Sequence, residues 1–578
     1  MLVHNLTELS QLYLDGVLIL EQGSELCRAI SSSIPNLQVL SMSYCDLSGP
    51  LLESLGQLQS LSEIRLDGNN ISEPVPGFFA NFSNLTILSL QGCRLHGTLP
   101  KVIFHLPSLQ YIDLSYNDQL DGSLPEFPRN GSLEYLCNFK GLIPKSIKNH
   151  TQLVSLSMSG NKLEGSIPSF SGAKNVVNID LSHNGLTGKI LIEISRLRKL
   201  EVLDFSNYYF NNPYGIGSLN LYMLVDNLTE LSQLYLDGVL ISEQGSELCR
   251  AISSSIPNLQ VLSICPIVIF QALFSSPLVS FNLYPKLGWT GTISLSQFQY
   301  IDLSYNDQLD GSLPEFPRNG SLEYLYLTLT KFSGLLPKSI GNLKMLSTIH
   351  IHSCNFKGLI PKSIKNHTQL VSLSMSGNKL EGSIPSFSGA KNVVNIDLSH
   401  NGLTGTINFS HWRNLTKLSS LILSSNKLDG DVPASLFSLP LLYHIDLSSN
   451  LFSGPFPEIL NVSSHLLNGP DLELDLSSNN LEGPLPMSIF SLRGLKALDL
   501  SSNNLSGSFP LDGLYQLRYL FELDLSHNNL FLSHDHTNFS YSSFSQQSTL
   551  SLVSLKLRTF PNFLRNQSNL QRLDISDN

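Results

Sequence analysis

One spacing recurs along this chain and governs what it can fold into. From Leu442 the sequence reads LYHIDLSSNLFSGPFPEIL, from Leu495 LKALDLSSNNLSGSFP, from Leu61 LSEIRLDGNNISEPVP and from Leu370 LVSLSMSGNKLEGSIP. All fit one pattern, LxxLxLxxNxLxGxIP. Starts at Leu37, Leu61, Leu85, Leu109 and Leu133 step by 24 residues, as do Phe298, Leu322, Leu346 and Leu370. Around twenty such units can be placed in the 578 residues. A short unit repeated this often cannot bury its apolar residues alone; neighbours must stack into a solenoid.

Each recurring residue type has a mechanical task. In the run from Ile445 to Asn450, strand alternation sends Ile445 and Leu447 inward and turns Asp446 and Ser448 to solvent. Stacking makes these short strands one parallel sheet on a concave face. Asn450 ends the strand, where its amide donates to and accepts from backbone groups that would otherwise be buried without partners. Gly454 permits a tight turn and Pro457 fixes φ as the chain crosses to the convex side. A second short strand and 3₁₀ or helical turns are expected there. The predicted fold is therefore an α/β solenoid, a curved right-handed superhelix. Its expected ladder is Asn69, Cys93, Asn117, Asn161, Asn184, Asn306, Cys354, Asn378, Asn401, Asn426, Asn450, Asn479, Asn503 and Asn528.

Composition narrows function by exclusion. A formal net charge of −11 gives no general attraction to phosphate backbones, so nucleic acid is not an expected partner. Seven cysteines in a chain this long are no disulfide framework. Cys45, Cys93, Cys354 and Cys137 fall where the repeat expects Asn, Cys27 and Cys249 are one position in two copies of a segment, and only Cys265 stands outside. Buried thiols are expected. GxSxG, HExxH, a Walker A loop and a kinase catalytic set are absent, so neither an enzyme nor a cofactor is expected. His350 and His352 share one strand face, but two imidazoles without a third ligand make a weak metal site, and exposed strand residues are the preferred reading. The His534–His536 run belongs to a loop. No basic n-region or apolar h-region opens the chain. The stretch Ile264–Phe281 is apolar but interrupted by Pro266 and Pro277, which disfavours a membrane helix.

With these residues in view, the LxGxIP variant resembles plant leucine-rich-repeat receptors and the related cell-wall enzyme inhibitors. More narrowly, NLTELSQLYLDGVLISEQGSELCRAISSSIPNLQVLS from Asn227, DGSLPEFPRNGSLEYL from Asp310 and LDLSSNNLEGPLPMSIFSL from Leu474 look like the receptor-like proteins of the Verticillium wilt resistance type. The resemblance implies a leucine-rich-repeat ectodomain of a cell-surface immune receptor. Such a receptor perceives a pathogen-derived peptide or protein and signals through partner leucine-rich-repeat receptor kinases as co-receptors. It reaches the membrane through a C-terminal span that this chain does not carry.

A second, larger repetition overlies the first. Asn5–Ser41 recurs at Asn227–Ser263, Tyr111–Leu136 at Tyr300–Leu325, and Asn138–Gly188 at Asn355–Gly405, with offsets of 222, 189 and 217. The last two differ by 28 residues, one 24-residue turn and four more, and the four are expected to remove the strand before Cys137. From Pro266, PIVIFQALFSSPLVSFNLYPKLGWTGTISLSQ replaces regular repeats, and translated non-coding sequence is preferred to a true insertion. Three segments follow: residues 1–263, an array in which the first copy runs into the start of the second; 264–297, an aberrant non-repeat segment; and 298–578, an array in which the second copy continues to a truncated end. Local breaks are expected at Cys137 and Pro266. Met1 aligns with the internal Met223, and Asn578 is a ladder Asn; a truncated gene model is the expectation, ahead of a soluble decoy receptor.

The expected ligand surface is the concave face: the recurring strand aspartates Asp113, Asp302, Asp397, Asp446, Asp475, Asp499 and Asp524, with Arg65, His350 and His352. Sequons stand at Asn5, Asn70, Asn81, Asn84, Asn130, Asn149, Asn227, Asn319, Asn366, Asn408, Asn414, Asn461, Asn504, Asn538 and Asn566, suiting a glycoprotein of the secretory route. Alternatives are a secreted inhibitor of cell-wall-degrading enzymes and a non-functional pseudogene product.

Overall fold

In a computed structural model, short strands, most of them three to five residues long, alternate with crossings to the opposite side, turn after turn. The residues described are 6–19, 23–187, 192–206, 221–239, 256–264, 287–289, 298–459, 472–533 and 548–578. Within these, positions 50, 52, 118, 121–122, 128–132, 138, 150, 152, 308, 319, 409–411, 413, 558–563 and 565–566 are excepted. Contacts divide the chain into two compact units, Met1–Ile293 and Ser294–Asn578.

In the first unit the strands Val39–Ser41, Glu63–Arg65, Ile87–Ser89, Tyr111–Asp113 and Tyr135–Cys137 pair in parallel and in register. In the second, Tyr300–Asp302, Tyr324–Tyr326, Thr348–His350, Ser372–Ser374, Asn395–Asp397 and Ser420–Ile422 do the same. A second parallel ladder follows each first strand, as in Lys331–Leu335, Asn355–Leu359 and Lys379–Gly382. 3₁₀ turns such as Lys338–Asn342, Lys362–Asn366 and Ala434–Ser438 then close the circuit, each entered through a proline. This is the leucine-rich-repeat solenoid fold.

The core is the stack itself. Ile445 and Leu447 are sealed beside Leu421 and Leu423 of the preceding turn, and Phe332 lies flat against Phe356 at 6.4 Å. Each rung of the amide ladder spans two turns. Asn450 donates from Nδ2 to the carbonyls of Leu423 (3.0 Å), Leu447 (3.1 Å) and Ser448 (3.0 Å), and its Oδ1 accepts the Leu428 N–H at 3.0 Å. Asn69, Asn117, Asn161, Asn184, Asn378, Asn401, Asn426, Asn479, Asn503 and Asn528 bond in the same manner. Asn306 donates to the Leu303 carbonyl at 2.8 Å. Cys45, Cys93 and Cys354 are buried free thiols on rungs, each donating from Sγ to a carbonyl of the preceding turn at 3.0 Å. Burial pushes the Cys93 thiol up to about 12. Thr330 fills a further rung, donating to the Leu327 carbonyl at 2.8 Å.

Two sequence expectations need correction. The strand before Cys137 is present, with Cys137 opposite Asp113, so Cys137 occupies the aspartate position and not a rung. What the four missing residues remove is the turn that would carry the rung. The chain passes from Cys137 almost directly to the second strand, Lys140–Leu142, and the break survives only as a slipped register, Ser157 against Tyr135. Asn161 bridges the gap, donating to the Leu136 carbonyl at 2.9 Å and accepting the Phe139 N–H at 2.6 Å. The expected break at Pro266 lies outside the described residues. The convex side also carries an α-helix over Gly23–Ser33, which takes the place of the 3₁₀ turn in a longer repeat and buries Leu26, Cys27 and Ile30.

Candidate functional site

The strand faces carry the candidate residues, and the two units present them differently. In the second unit six successive strands, from His444–Asp446 to Arg572–Asp574, line a concavity of about 380 Å³. Its floor is one row of carboxylates in register: Asp446, Asp475, Asp499 and Asp524. A parallel row carries His444, Glu473 and Glu522. Glu473 accepts Lys496 Nζ at 2.6 Å and meets His444 Nδ1 at 3.1 Å, contacts that hold its carboxyl below the usual range.

These aspartates are not simply turned to solvent, as alternation alone suggests. In each, Oδ1 accepts the backbone N–H two residues on, Ser448 for Asp446 (3.0 Å), Ser477 for Asp475 (2.8 Å), Ser501 for Asp499 (2.9 Å) and Ser526 for Asp524 (2.9 Å). The Asp-x-Ser order is an Asx-turn signature that closes the strand end. This structural role is legible in the sequence and was missed there. It leaves the carboxylates half-buried, and desolvation, reinforced by the like charges of Asp475 and Asp524, pushes Asp499 up to about 6. Asp475 is raised for the same reasons.

A stability prediction follows from the sign of that shift. An aspartate held above its unfolded value of 3.8 favours folding fully below that pH, and the contribution is lost as pH rises through about 6. Asp499→Asn keeps an oxygen for the Ser501 N–H. It should leave the melting temperature unchanged near pH 4 and raise stability near pH 7 by about 1 kcal/mol once solvent screening is allowed for. A calorimetric pH series with equal gains at both ends would contradict this account.

The remaining candidates are more committed to the scaffold. Asp113 is buried, with Oδ1 accepting the Ser115 N–H and Oγ–H at 2.9 and 2.6 Å and Oδ2 accepting the Tyr111 hydroxyl at 3.2 Å. Asp302 and Asp397 accept the Ser304 and Ser399 N–H groups at 2.9 and 3.0 Å. Arg65 donates from Nε to Glu63 at 2.5 Å and lies 6.0 Å from the Tyr111 ring, itself stacked on Tyr135 at 4.4 Å. His350 and His352 are half-buried where the sequence suggested exposure. His350 Nε2 meets Ser372 Oγ at 2.8 Å, its ring stands 5.2 Å from Tyr326, and burial lowers both imidazoles below the usual histidine range. No group of three His, Cys, Asp or Glu able to hold a metal occurs among the described residues.

Of the sequons, Asn81, Asn84, Asn149, Asn227, Asn366, Asn408, Asn414 and Asn504 are exposed and Asn70 is half-buried; Asn5, Asn130, Asn319, Asn461, Asn538 and Asn566 lie outside the described residues. No described helix is long and apolar enough to cross a membrane.

Comparison with known proteins agrees with this geometry. Leucine-rich-repeat models match residues 59–118 and 473–530, and again 36–58, 152–173, 321–343 and 369–390. Receptor like protein 24 of Arabidopsis thaliana is 33% identical over 336 residues, 55% of this chain and 38% of its own. Receptor-like protein 6 of the same plant is 31% identical over 35% of this chain and 19% of its own. The receptor-like protein Cf-9 homolog of Solanum lycopersicum is 31% identical over 40% and 28%. The chain thus spans less than two-fifths of the length of these relatives. Among solved structures, the Arabidopsis receptor kinase HAESA, in complex with the peptide hormone IDA and the co-receptor SERK1, covers 87% of this chain and 76% of its own at 26% identity and a TM-score of 0.60. The HAESA ectodomain with an N-terminally extended IDA peptide covers 97% and 80% at 25% identity and a TM-score of 0.65. Repeat, register and relatives agree: the chain folds as a leucine-rich-repeat solenoid and is similar to plant receptor-like proteins.

Proposed function

We propose that this chain is a ligand-binding array of a plant cell-surface receptor-like protein in pathogen perception, and that it recognises an extended peptide or protein segment across its strand face. The observation that carries the reading is the carboxylate-floored concavity of the second unit, where Asp446, Asp475, Asp499 and Asp524 are spaced one strand apart. A rigid parallel sheet offers many independently variable side chains on one frame, which suits recognition of a segment laid along it. Half-buried carboxylates with one oxygen committed to a turn present the other to a cationic or hydrogen-bond-donating side chain. HAESA, similar in fold, is solved with a peptide hormone and a co-receptor. By that analogy the partners here are a peptide ligand and leucine-rich-repeat receptor kinases. The exposed sequons Asn84, Asn366 and Asn414 are glycan sites on this reading. The Verticillium wilt resistance type remains the proposed branch, with residues 264–297 as an aberrant segment inside the second of two copies of one array.

The test is a binding screen of the chain against pathogen and cell-wall proteins, followed by Asp446→Asn/Asp524→Asn in the same assay. A ligand of this groove should lose about ten-fold in affinity or more as two charged contacts become neutral. A ligand whose affinity is unmoved binds elsewhere and removes the groove from the proposal.

A further inference from the structure

The second unit carries a strongly basic surface that the strand-face reading does not use. Residues 331–391 hold eight lysines and one acidic residue, Glu381, within a chain of net charge −11. All eight lysines are exposed, and none lies on the strands Thr348–His350, Ser372–Ser374 or Asn395–Asp397 that form the concave face. The fold sends them to the flank and convex side. Lys357 and Lys379 are register partners on the second ladder. Lys338, Lys362 and Lys365 stand on consecutive 3₁₀ turns, which Ser363 ties together by donating to the Lys338 carbonyl at 2.7 Å. None of these five forms an ion pair among the described residues.

Between the lysines run two exposed leucines at a position that in the other turns of this unit holds Ser, Thr, Asp or Pro. Leu335 and Leu359 are 65% and 64% exposed. Each leans across onto a glycine of the next turn: their Cδ2 atoms stand 2.6 and 2.4 Å from where a Cβ would sit on Gly358 and Gly382. They therefore form a low apolar strip along the stacking direction and not a projecting wedge.

We infer that this flank binds a linear polyuronate, an anionic polysaccharide with one carboxylate per sugar ring, laid along the stacking direction with ring faces on Leu335 and Leu359 and carboxylates toward the lysines. The charge is complementary, and the repeat distinguishes the partner. Successive turns advance by the strand spacing of about 4.8 Å, whereas an extended acidic peptide puts same-face carboxylates about 6.7 Å apart. A sugar ring's advance is longer than one amino-acid residue and shorter than two, nearer to the turn spacing. A flat leucine strip also offers nothing to insert into a bilayer, which disfavours an anionic membrane. The inference is independent of the peptide-binding reading, because the two surfaces share no residue.

The experiment is calorimetric titration of the full chain with a short oligogalacturonate, its methyl ester, poly-glutamate and phosphatidylserine vesicles. The free acid should bind and weaken between about 50 and about 200 mM salt, and the uncharged ester should bind at least about ten-fold more weakly. Lys357→Glu/Lys379→Glu, checked for an unchanged melting temperature, should show the same loss. Lys338→Glu/Lys362→Glu is the second variant if the first unfolds. Equal binding of acid and ester, unchanged affinity in the folded variants, or tighter binding of poly-glutamate or vesicles overturns the proposal.

Discussion

Asn450→Ala lowers the unfolding free energy by about 3 kcal/mol, an expected cost far above that of an ordinary surface substitution. The alanine leaves the Leu423 and Leu447 carbonyls without their side-chain donor and the Leu428 N–H without its acceptor, all between stacked turns where water does not reach. Asn450→Cys should cost roughly half as much, because a thiol on a rung still reaches the carbonyl of the preceding turn, as Cys354 does to Leu327 at 3.0 Å. The reverse exchange, Cys354→Asn, is expected to stabilise. Urea melts of the three variants check the order; alanine and cysteine variants of equal stability would mean that space filling, and not hydrogen bonding, is what the rung supplies.

His367→Leu is expected to act in the opposite direction. His367 is wholly buried at the end of a 3₁₀ turn, at the position that Leu343 and Leu439 hold in other turns. Its Nδ1 bonds the Leu343 carbonyl at 2.9 Å, while its Nε2 is buried with no hydrogen-bond partner. Burial lowers the imidazole below the ordinary value of 6.5. A group depressed in this way contributes stability that is present above its unfolded value and lost as pH falls below it. Leucine removes both the orphaned nitrogen and the proton linkage, so the gain should be about 1–2 kcal/mol at pH 7 and larger near pH 5.5. Melting curves at the two pH values decide it: a gain that shrinks on acidification would place the linkage at another group.

Much of this architecture could be read from the residues, because the repeat ties each task to a position. Inward leucines, the rung at Asn450, the turn at Gly454 (φ 73°) and the crossing at Pro457 all follow from period and residue type. What escaped was whatever depends on the geometry between turns. Alternation marks Asp446 as outward but does not say that Ser448 captures one of its oxygens. It makes His350 a surface residue, although the Tyr326 ring of the preceding turn half-covers it. The ligand surface was legible only as a face, since the carboxylate row becomes a concavity through the stacking of six particular strands. Thr330 escaped for a simpler reason: a hydroxyl on a rung breaks the consensus while keeping its hydrogen bond.

The junction at Cys137 shows how such an array accommodates an irregular unit. There a rung-bearing turn is missing, yet the strand keeps its pairing with Asp113 and Asn161 reaches the orphaned carbonyl of Leu136. Strand and rung are thus separable heritable parts, and a deletion need not be a whole number of turns to leave a foldable chain. Lineages built on this plan can vary in length by unequal recombination at almost any point. Each imperfect joint costs a local slip of register and leaves the surfaces on either side free to diverge.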